Sequence, residues 1–308
     1  MTDSAAQARA LHATVGFRNR EDLLVYRLEG DDQRAWLNGQ VTIDVRHTKK
    51  GESVYGLAVN VRGRIMADIW VLDAGDALQL LIPASAQQPL LESFEAQIIM
   101  EDVEVVAVPQ ARVISLLGPR AKDLAASVAQ PGVSAYPGDE LGDGGVFLVT
   151  EEPQCERLLS QLASSAAALD GMAVDEAGYE LARLRNRVPR FGRDFDIKSY
   201  PQETGLKARA VAFDKGCYLG QEVVCTLENR GKLSRFLCAL ELSAVAEAGS
   251  ELSASDGAVV GHVTSVAYDP DRDGTLALGY VKRAHATEGA TLQAGTVTVT
   301  VVGVVGQS

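Results

Sequence analysis

Long apolar runs are missing from this chain of 308 residues. No stretch approaches the roughly eighteen consecutive apolar residues that a membrane-spanning helix needs, so no membrane partner is expected. The first twenty residues are polar and Ala-rich and contain no apolar core of a secretory signal, which points to a cytoplasmic protein. Cysteine is scarce. Cys155, Cys217, Cys225 and Cys238 are too few for a disulfide scaffold, and no C-x-x-C occurs, so neither a zinc nor an iron–sulfur site is expected from this chain alone. The four histidines, His12, His47, His262 and His285, are scattered and offer no metal-ligand pair. Basic charge is short as well. Lys and Arg number 29 against 41 Asp and Glu, a net charge of −12, which argues against direct nucleic-acid binding.

One local exception stands against the acidic background. Arg183, Arg185, Arg187, Arg190 and Arg193 lie close together, and spacing by two scatters the first three around a helix. They read as a solvated helix face, with a patch for an anionic ligand tail or an acidic partner as the alternative.

The length exceeds one hydrophobic core, so two or three packed units are expected. Asp31 reads as the N-cap of a helix that turns Ala35, Trp36 and Val41 inward. Val54–Asn60, Ile65–Leu72 and Ala77–Ile82 read as a strand meander, its first turn at 61–64, and Pro83 as the opening of a helix carrying Leu90, Leu91, Phe94 and Ile98. A strand follows at Val103–Val108. A second, weaker block has strands at Val113–Leu117 and Gly145–Val149, a helix from Gly118-Pro119 to about Ala129, a loop over Gln130–Gly145 and a helix over Glu156–Leu169. A helix from Glu176 to Asn186 leads into an irregular stretch, Phe191–Thr204. After Lys232 strand-like runs continue to the end and read as a small β-barrel or sandwich. Strands arriving in groups favour α+β layers over a doubly wound parallel sheet. Expected boundaries are 1–110 and 111–230 for two α+β units and 231–308 for the β-domain, with the last junction near 230–234.

The most unusual segment is Lys215-Gly216-Cys217-Tyr218-Leu219-Gly220-Gln221-Glu222. A core does not call for a thiol between glycines, two residues after a lysine, with an amide and a carboxylate just beyond. Glycine costs stability wherever its backbone freedom is unused, and a nearby ammonium favours the reactive thiolate. Cys217 is therefore the candidate reactive residue, with Lys215 as its activator; nucleophile, redox thiol and transient cluster ligand all remain open as its role. Tyr218 is placed to stack or to pack, and Gln221 and Glu222 to hydrogen-bond a ligand or to start an element. Cys225 and Cys238 sit in strand-like apolar runs and read as core. Asp68 is an acid inside an apolar strand, costly without a partner unless it faces solvent.

This octapeptide resembles the signature of the YgfZ family of folate-binding proteins, related to the aminomethyltransferase (T-protein) of the glycine cleavage system. Other segments agree in order: DDQRAWLNGQVTIDV (31–45), NVRGRIMADIWVL (60–72), Pro201-Gln202-Glu203-Thr204 and GHVTSVAYDPDRDGTLALGYV (261–281). The resemblance implies a T-protein-like multidomain α+β fold, two units around a central folate cavity with a small C-terminal β-barrel. It implies tetrahydrofolate, or a one-carbon derivative, as cofactor, and a cytoplasmic accessory role toward iron–sulfur client enzymes or assembly proteins, including those that thiolate tRNA. It also implies that Asp68 acts beside the folate, that Asn60 and Arg64 orient it, and that Tyr179 lies at the folate. The aromatic sandwich would be incomplete, because Leu23 is aliphatic where the family often has a ring. Cys225-Thr226 replaces the family's usual Ala-Arg. Gly220, Tyr218, Gln221 and Glu222 complete the expected cofactor set. Two other readings compete: a folate-dependent one-carbon transferase or demethylase built on Asp68, and a non-catalytic scaffold using the acidic surface and the arginine patch.

Overall fold

Period-two burial decides most of the strands. In Ile65–Asp73, Ile65, Ala67, Ile69 and Val71 are buried while Met66, Asp68 and Trp70 stay half-open. The computed structural model describes residues 3–230 and 233–307. The junction expected near 230–234 takes in residues 231–232, which lie outside the described residues. Contacts group the described chain into two units.

The first unit takes the chain to Ala58, Met66–Ala182 and Asp214–Leu219. It holds two five-stranded sheets. One runs in the order Ser53–Val59, Ile65–Asp73, Leu78–Pro83, Leu23–Glu29, Glu104–Ala107, with Trp70 opposite Leu81 and Leu24 opposite Ile82. The other runs Met172–Ala173, Gly16–Asn19, Ala111–Leu117, Gly145–Glu151, Ser134–Pro137; its first pair is parallel and the rest are antiparallel. Val25, Leu72 and Leu81 of the first sheet cluster with Val113, Phe147 and Val149 of the second, joining the sheets through one apolar layer. The outer face of the second sheet is covered by helices Ala121–Ser127 and Glu152–Ala167. The latter buries Cys155, Leu158, Leu162 and Ala166 at helical spacing.

The second unit takes Val59–Ile65, Arg183–Phe213 and the chain from Gly220 onward. Its β-part is a closed six-stranded barrel in the order Arg235–Leu242, Gly274–Lys282, Val259–Asp269, Glu251–Ser253, Thr291–Ala294, Val297–Val304. Cys238, Leu240, Val263, Val281, Leu292 and Val301 fill it. Closure pairs every edge, which settles the barrel-or-sandwich alternative in favour of the barrel. The grouped strands bear out the α+β reading.

Several local expectations are corrected. The polar N-terminal segment forms a helix, Ser4–Ala13, capped by the Asp3 side chain and burying Ala5, Gln7, Ala8 and Leu11. Its small residues allow close packing without the large apolar stripe that would have announced it. The N-cap of Gln33–Asn38 is Asp32, not Asp31, and it makes no side-chain cap; Asp32 instead accepts the backbone N–H of Asp102. Pro83 ends a strand and caps a single 3-10 turn, Ala84–Ala86, that leads into the helix Gln87–Glu95; Ile98 lies beyond that helix. The expected loop over 130–145 contains the short edge strand Ser134–Pro137. Cys225 lies in the helix Gln221–Arg230 and is half-buried rather than core.

Candidate functional site

Lys215 and Tyr218 are buried, whereas Gly216 and Cys217 between them are exposed. The anchor is the turn after helix Gln33–Asn38. Lys215 Nζ donates to the backbone carbonyls of Asn38, Val41 and Ile43, each at 2.6 Å. An ammonium has three donors, so all of them are committed to the backbone. The orphan carbonyls at a helix C-terminus need donors, and a cation there also meets the negative end of the helix dipole. Leu219 N–H donates to Gly39 O at 2.9 Å, and Lys215 Nζ sits 5.2 Å from the Tyr218 ring centre. Burial pulls the Lys215 ammonium down to about 8, opposed by nearby Asp44. Lys215 thus touches the backbone rather than the thiol: it fixes one end of a short arch, Leu219 N–H and buried Tyr218 fix the other, and the crest carries Cys217. A Cβ on Gly216 would meet nothing within 4 Å, so that glycine leaves the thiol open on one side. Cys155 and Cys238, unlike Cys217, are buried. Burial raises Cys155 and pushes Cys238 up to about 12, leaving both as inert thiols.

A second cluster gathers around Asp68. Tyr55 O–H donates to Asp68 Oδ2 at 3.1 Å, while Oδ1 is sealed from solvent and has no hydrogen-bond partner. Burial pushes the Asp68 carboxyl up to about 6, against the hydrogen bond from Tyr55 and the charge of Arg20. Trp70 packs on Tyr55 and on Phe147, with ring centres 5.1 and 5.0 Å apart. Arg20 is buried, grips Asp22 with two bonds of 2.9 and 3.0 Å, and also donates to Ser115 and Glu140. Tyr179 is buried under guanidiniums: Arg18 lies 4.4 Å and Arg20 5.7 Å from its ring centre. Arg18 Nη2 pairs with Glu176 at 2.9 Å, and its Nη1 is sealed without a partner. The geometry therefore joins Asp68 and Tyr179 into one polar region through Arg20.

Sequence reasoning missed Tyr55, Arg18, Arg20 and Glu140. Arg18, Arg20 and Asp22 at alternate positions are the signal that could have drawn attention to the two arginines. Glu140 sits in a loop and carries no such signal.

The remaining expected residues hold the backbone. Asn60 Oδ1 accepts the N–H groups of Arg62 and Arg64 at 2.9 and 3.2 Å, closing the hairpin turn. Arg64 lies 4.4 Å over the Tyr200 ring and donates to Lys198 O. Gly220 has φ +76°, and a Cβ there would come within 2.2 Å of Asn60 O. Gln221 and exposed Glu222 form the first turn of helix Gln221–Arg230.

Two arginines of the run form neither a solvated face nor a ligand patch. Arg183 is 0% exposed and pairs with Asp194 at 2.7 Å, while Arg185 grips Asp269 and Asp271. Burial alone would raise the Asp269 carboxyl, yet Arg185 holds it below its usual range. These arginines tie the chain from Arg183 onward to Asp194 and, within the same unit, to the barrel residues Asp269 and Asp271. Two of the five cations on which a scaffold role would draw are thus consumed internally.

Comparison with known proteins places this geometry. Residues 1–136 match the GCVT N-terminal domain, and residues 235–305 match the glycine cleavage T-protein C-terminal barrel domain. A tRNA-modifying protein YgfZ of Yersinia enterocolitica is 27% identical over 70% of this chain and 68% of its own length. An aminomethyltransferase of Corynebacterium jeikeium is 25% identical over 96% of this chain and 85% of its length. A putative chloroplastic transferase of Arabidopsis thaliana is 25% identical over 87% of this chain, which spans 66% of that protein. The crystal structure of the glycine cleavage system aminomethyltransferase T from Bartonella henselae superposes with a TM-score of 0.85 at 20% identity, covering 97% of this chain and 88% of that one. With both T-protein domains matched in order and the fold shared over nearly its whole length, the chain belongs to the YgfZ/T-protein-like family.

Proposed function

We propose that the chain is a tetrahydrofolate-binding accessory protein that supports assembly or repair of iron–sulfur enzymes, tRNA-thiolating ones among them, through the Cys217 thiol. The observation that carries this reading is the arch: buried anchors at Lys215 and Tyr218 hold an exposed cysteine where a partner protein can reach it. A core cysteine would need no such arch, and a self-contained catalyst would enclose it. The name of the Yersinia relative, a tRNA-modifying protein, agrees with this reading.

The residues around Asp68 fit a reduced folate. A pterin presents donors and acceptors along one edge, and the cluster offers an unpartnered acceptor at Asp68 Oδ1 and an unpartnered donor at Arg18 Nη1. Asp68, Tyr55 and Arg18 would hold that edge, with Trp70 as the adjacent apolar wall. When bound, the folate supplies a nitrogen that carries one-carbon groups. Asp68, poised near neutrality with Tyr55 on its other oxygen, holds or releases a proton at Oδ1.

That poise supports a second reading, a folate-dependent one-carbon transferase, which the similarity to aminomethyltransferases also favours. One complementation experiment separates the two. In a strain lacking its own homologue, with an iron–sulfur enzyme's activity as readout, Cys217→Ala is expected to fail. Full rescue by Cys217→Ala sinks the accessory role, and rescue by Cys217→Ala together with failure of Asp68→Asn favours the transferase.

A further inference from the structure

The loop after helix Gln87–Glu95 carries the two most exposed large apolar side chains among the described residues, Ile99 at 83% and Met100 at 92%. With half-buried Ile98 before them they form a continuous apolar tip, and contiguous exposed apolar surface, unlike a lone side chain, marks an interaction site. The tip is held in place by its backbone. Glu101 Oε2 accepts the N–H groups of Ile99 and Met100 at 2.9 and 3.0 Å, and these bonds hold its carboxyl below the usual range. Before the tip, Trp36 Nε1 donates to Gln97 O at 3.3 Å from a ring packed edge-on against Phe94. After it, Asp102 is locked to the turn before helix Gln33–Asn38: Asp31 N–H donates to its Oδ2, Asp32 N–H to its carbonyl, and its own N–H donates to Asp32 Oδ2. A loop fixed on both sides keeps Ile99 and Met100 in solvent.

The charge beside the tip is of one sign. Residues 65–111 contain no Lys, Arg or His. Glu95 ends the helix before the tip, Glu101 and Asp102 follow it, Asp31 and Asp32 lie in the turn bonded to Asp102, and Glu104 opens the edge strand Glu104–Ala107. Glu104 stands directly opposite Glu29, a like-charge pairing that weakens a strand pair. Arg27, 3.3 Å from Glu29, is shared with Asp76 at 2.7 Å. Helix Gln87–Glu95 ends here with no basic residue in its last turn, so the negative end of its dipole adds to the field. Among the described residues no ion pair engages Glu95, Glu101, Asp102 or Glu104.

We infer that this tip is a docking surface for a basic amphipathic segment of a partner protein, whose apolar side chains cover Ile99 and Met100 while its Lys and Arg meet the adjoining carboxylates. Charge complementarity selects that occupant. A second copy would bring the same acids face to face, and an anionic lipid surface would be repelled in the same way. An unbranched, flexible methionine at the crest adapts to the apolar face that it meets. The surface goes beyond the function proposed above and uses neither Cys217 nor Asp68.

The Met100 methyl resonance of the full chain, isotope-labelled at methionine and assigned with Met100→Leu, reports occupancy. The probe is a helical peptide of about 18 residues with Leu on one face and Lys on the other. It is expected to move that resonance saturably, whereas a peptide with Ser in place of Leu leaves it unmoved. Ile99→Ser with Met100→Ser, at positions exposed enough to leave folding intact, is expected to weaken binding of the Leu/Lys peptide at least about tenfold by calorimetry, the loss of two apolar anchors. Glu95→Gln with Glu104→Gln is expected to weaken it about threefold or more at low salt and to flatten its dependence on ionic strength. The inference is overturned if the Leu/Lys peptide leaves Met100 unmoved, if the Ser/Lys peptide moves it equally, or if the double-serine variant binds as tightly as wild type. Movement of the resonance on raising the protein concentration alone would assign the face to a second copy, and movement with phosphatidylcholine vesicles to a lipid surface; either result also overturns it.

Discussion

Lys215 shows how a residue's chemistry is redirected by what it touches. Its neighbourhood in sequence marks it as an activator of Cys217, yet three backbone carbonyls take its three protons. Replacing it with methionine keeps the stem but orphans those carbonyls, at a cost of about 2–4 kcal/mol. Denaturant unfolding checks the cost, and hydrogen exchange at Leu219 N–H is expected to speed up as the arch loosens; unchanged exchange would refute the anchoring role. Asp68 gives a prediction of opposite sign. Its carboxyl lies at about 6 in the folded chain against an ordinary 3.8, so the folded state binds its proton more tightly than the unfolded state does. Wild-type stability therefore declines relative to Asp68→Asn as pH rises from about 4 to about 6, and the difference then levels off. The asparagine variant is expected to match wild type near pH 4 and to exceed it by up to about 3 kcal/mol at neutral pH, the equivalent of that shift. Equal pH profiles for the two proteins would show that burial of the charge carries no cost.

At the scale of elements, the two motif glycines have opposite jobs. Gly220 opens helix Gln221–Arg230 from a left-handed conformation, with Asn60 O pressed against the place of its missing Cβ. Gly220→Ala is expected to cost about 2–4 kcal/mol, from the strained φ together with the clash. Gly216 has open space where a Cβ would go, so Gly216→Ala should change stability by no more than about 0.5 kcal/mol. A Gly216→Ala protein that folds normally yet fails complementation would place the defect at access to the thiol. Thermal melts of both variants beside the complementation assay decide it. The buried pair of Arg183 and Asp194 belongs to the same scale: through Ser265 it fixes an irregular stretch to the barrel with charge.

For the whole molecule, ligand linkage is the most direct test of the folate reading. A ligand that binds only the folded chain adds about 2.7 kcal/mol of apparent stability at a hundred times its Kd. Tetrahydrofolate is expected to raise the melting temperature of wild type, and to do so much less for Tyr55→Phe combined with Asp68→Ala. No shift in wild type at saturating ligand would remove folate from the account. Among the described residues no helix is long and apolar enough to cross a membrane, and no group of three or more His, Cys, Asp and Glu is placed to hold a metal ion.

Much of this was legible without coordinates. Period-two burial gave the meander around Ile65–Asp73, grouped strands gave the α+β class, and the octapeptide marked the site, because local periodicity and turn chemistry act over a few residues. The helix Ser4–Ala13 escaped because alanines bury well without an apolar stripe. Cys225 escaped because a β-branched run beside it suits strand and helix alike. What the residues alone determined is which groups are chemically unusual: an exposed-type thiol between glycines, an acid in an apolar strand, a run of arginines. What those groups do was decided only by tertiary structure. Lys215 became an anchor, Arg183 and Arg185 became internal ties, and Tyr55, on the preceding strand, became the partner of Asp68. The physical reason is that charge and hydrogen bonding are settled by whichever partner lies within about 3 Å, and the chain brings those partners from tens to hundreds of residues away.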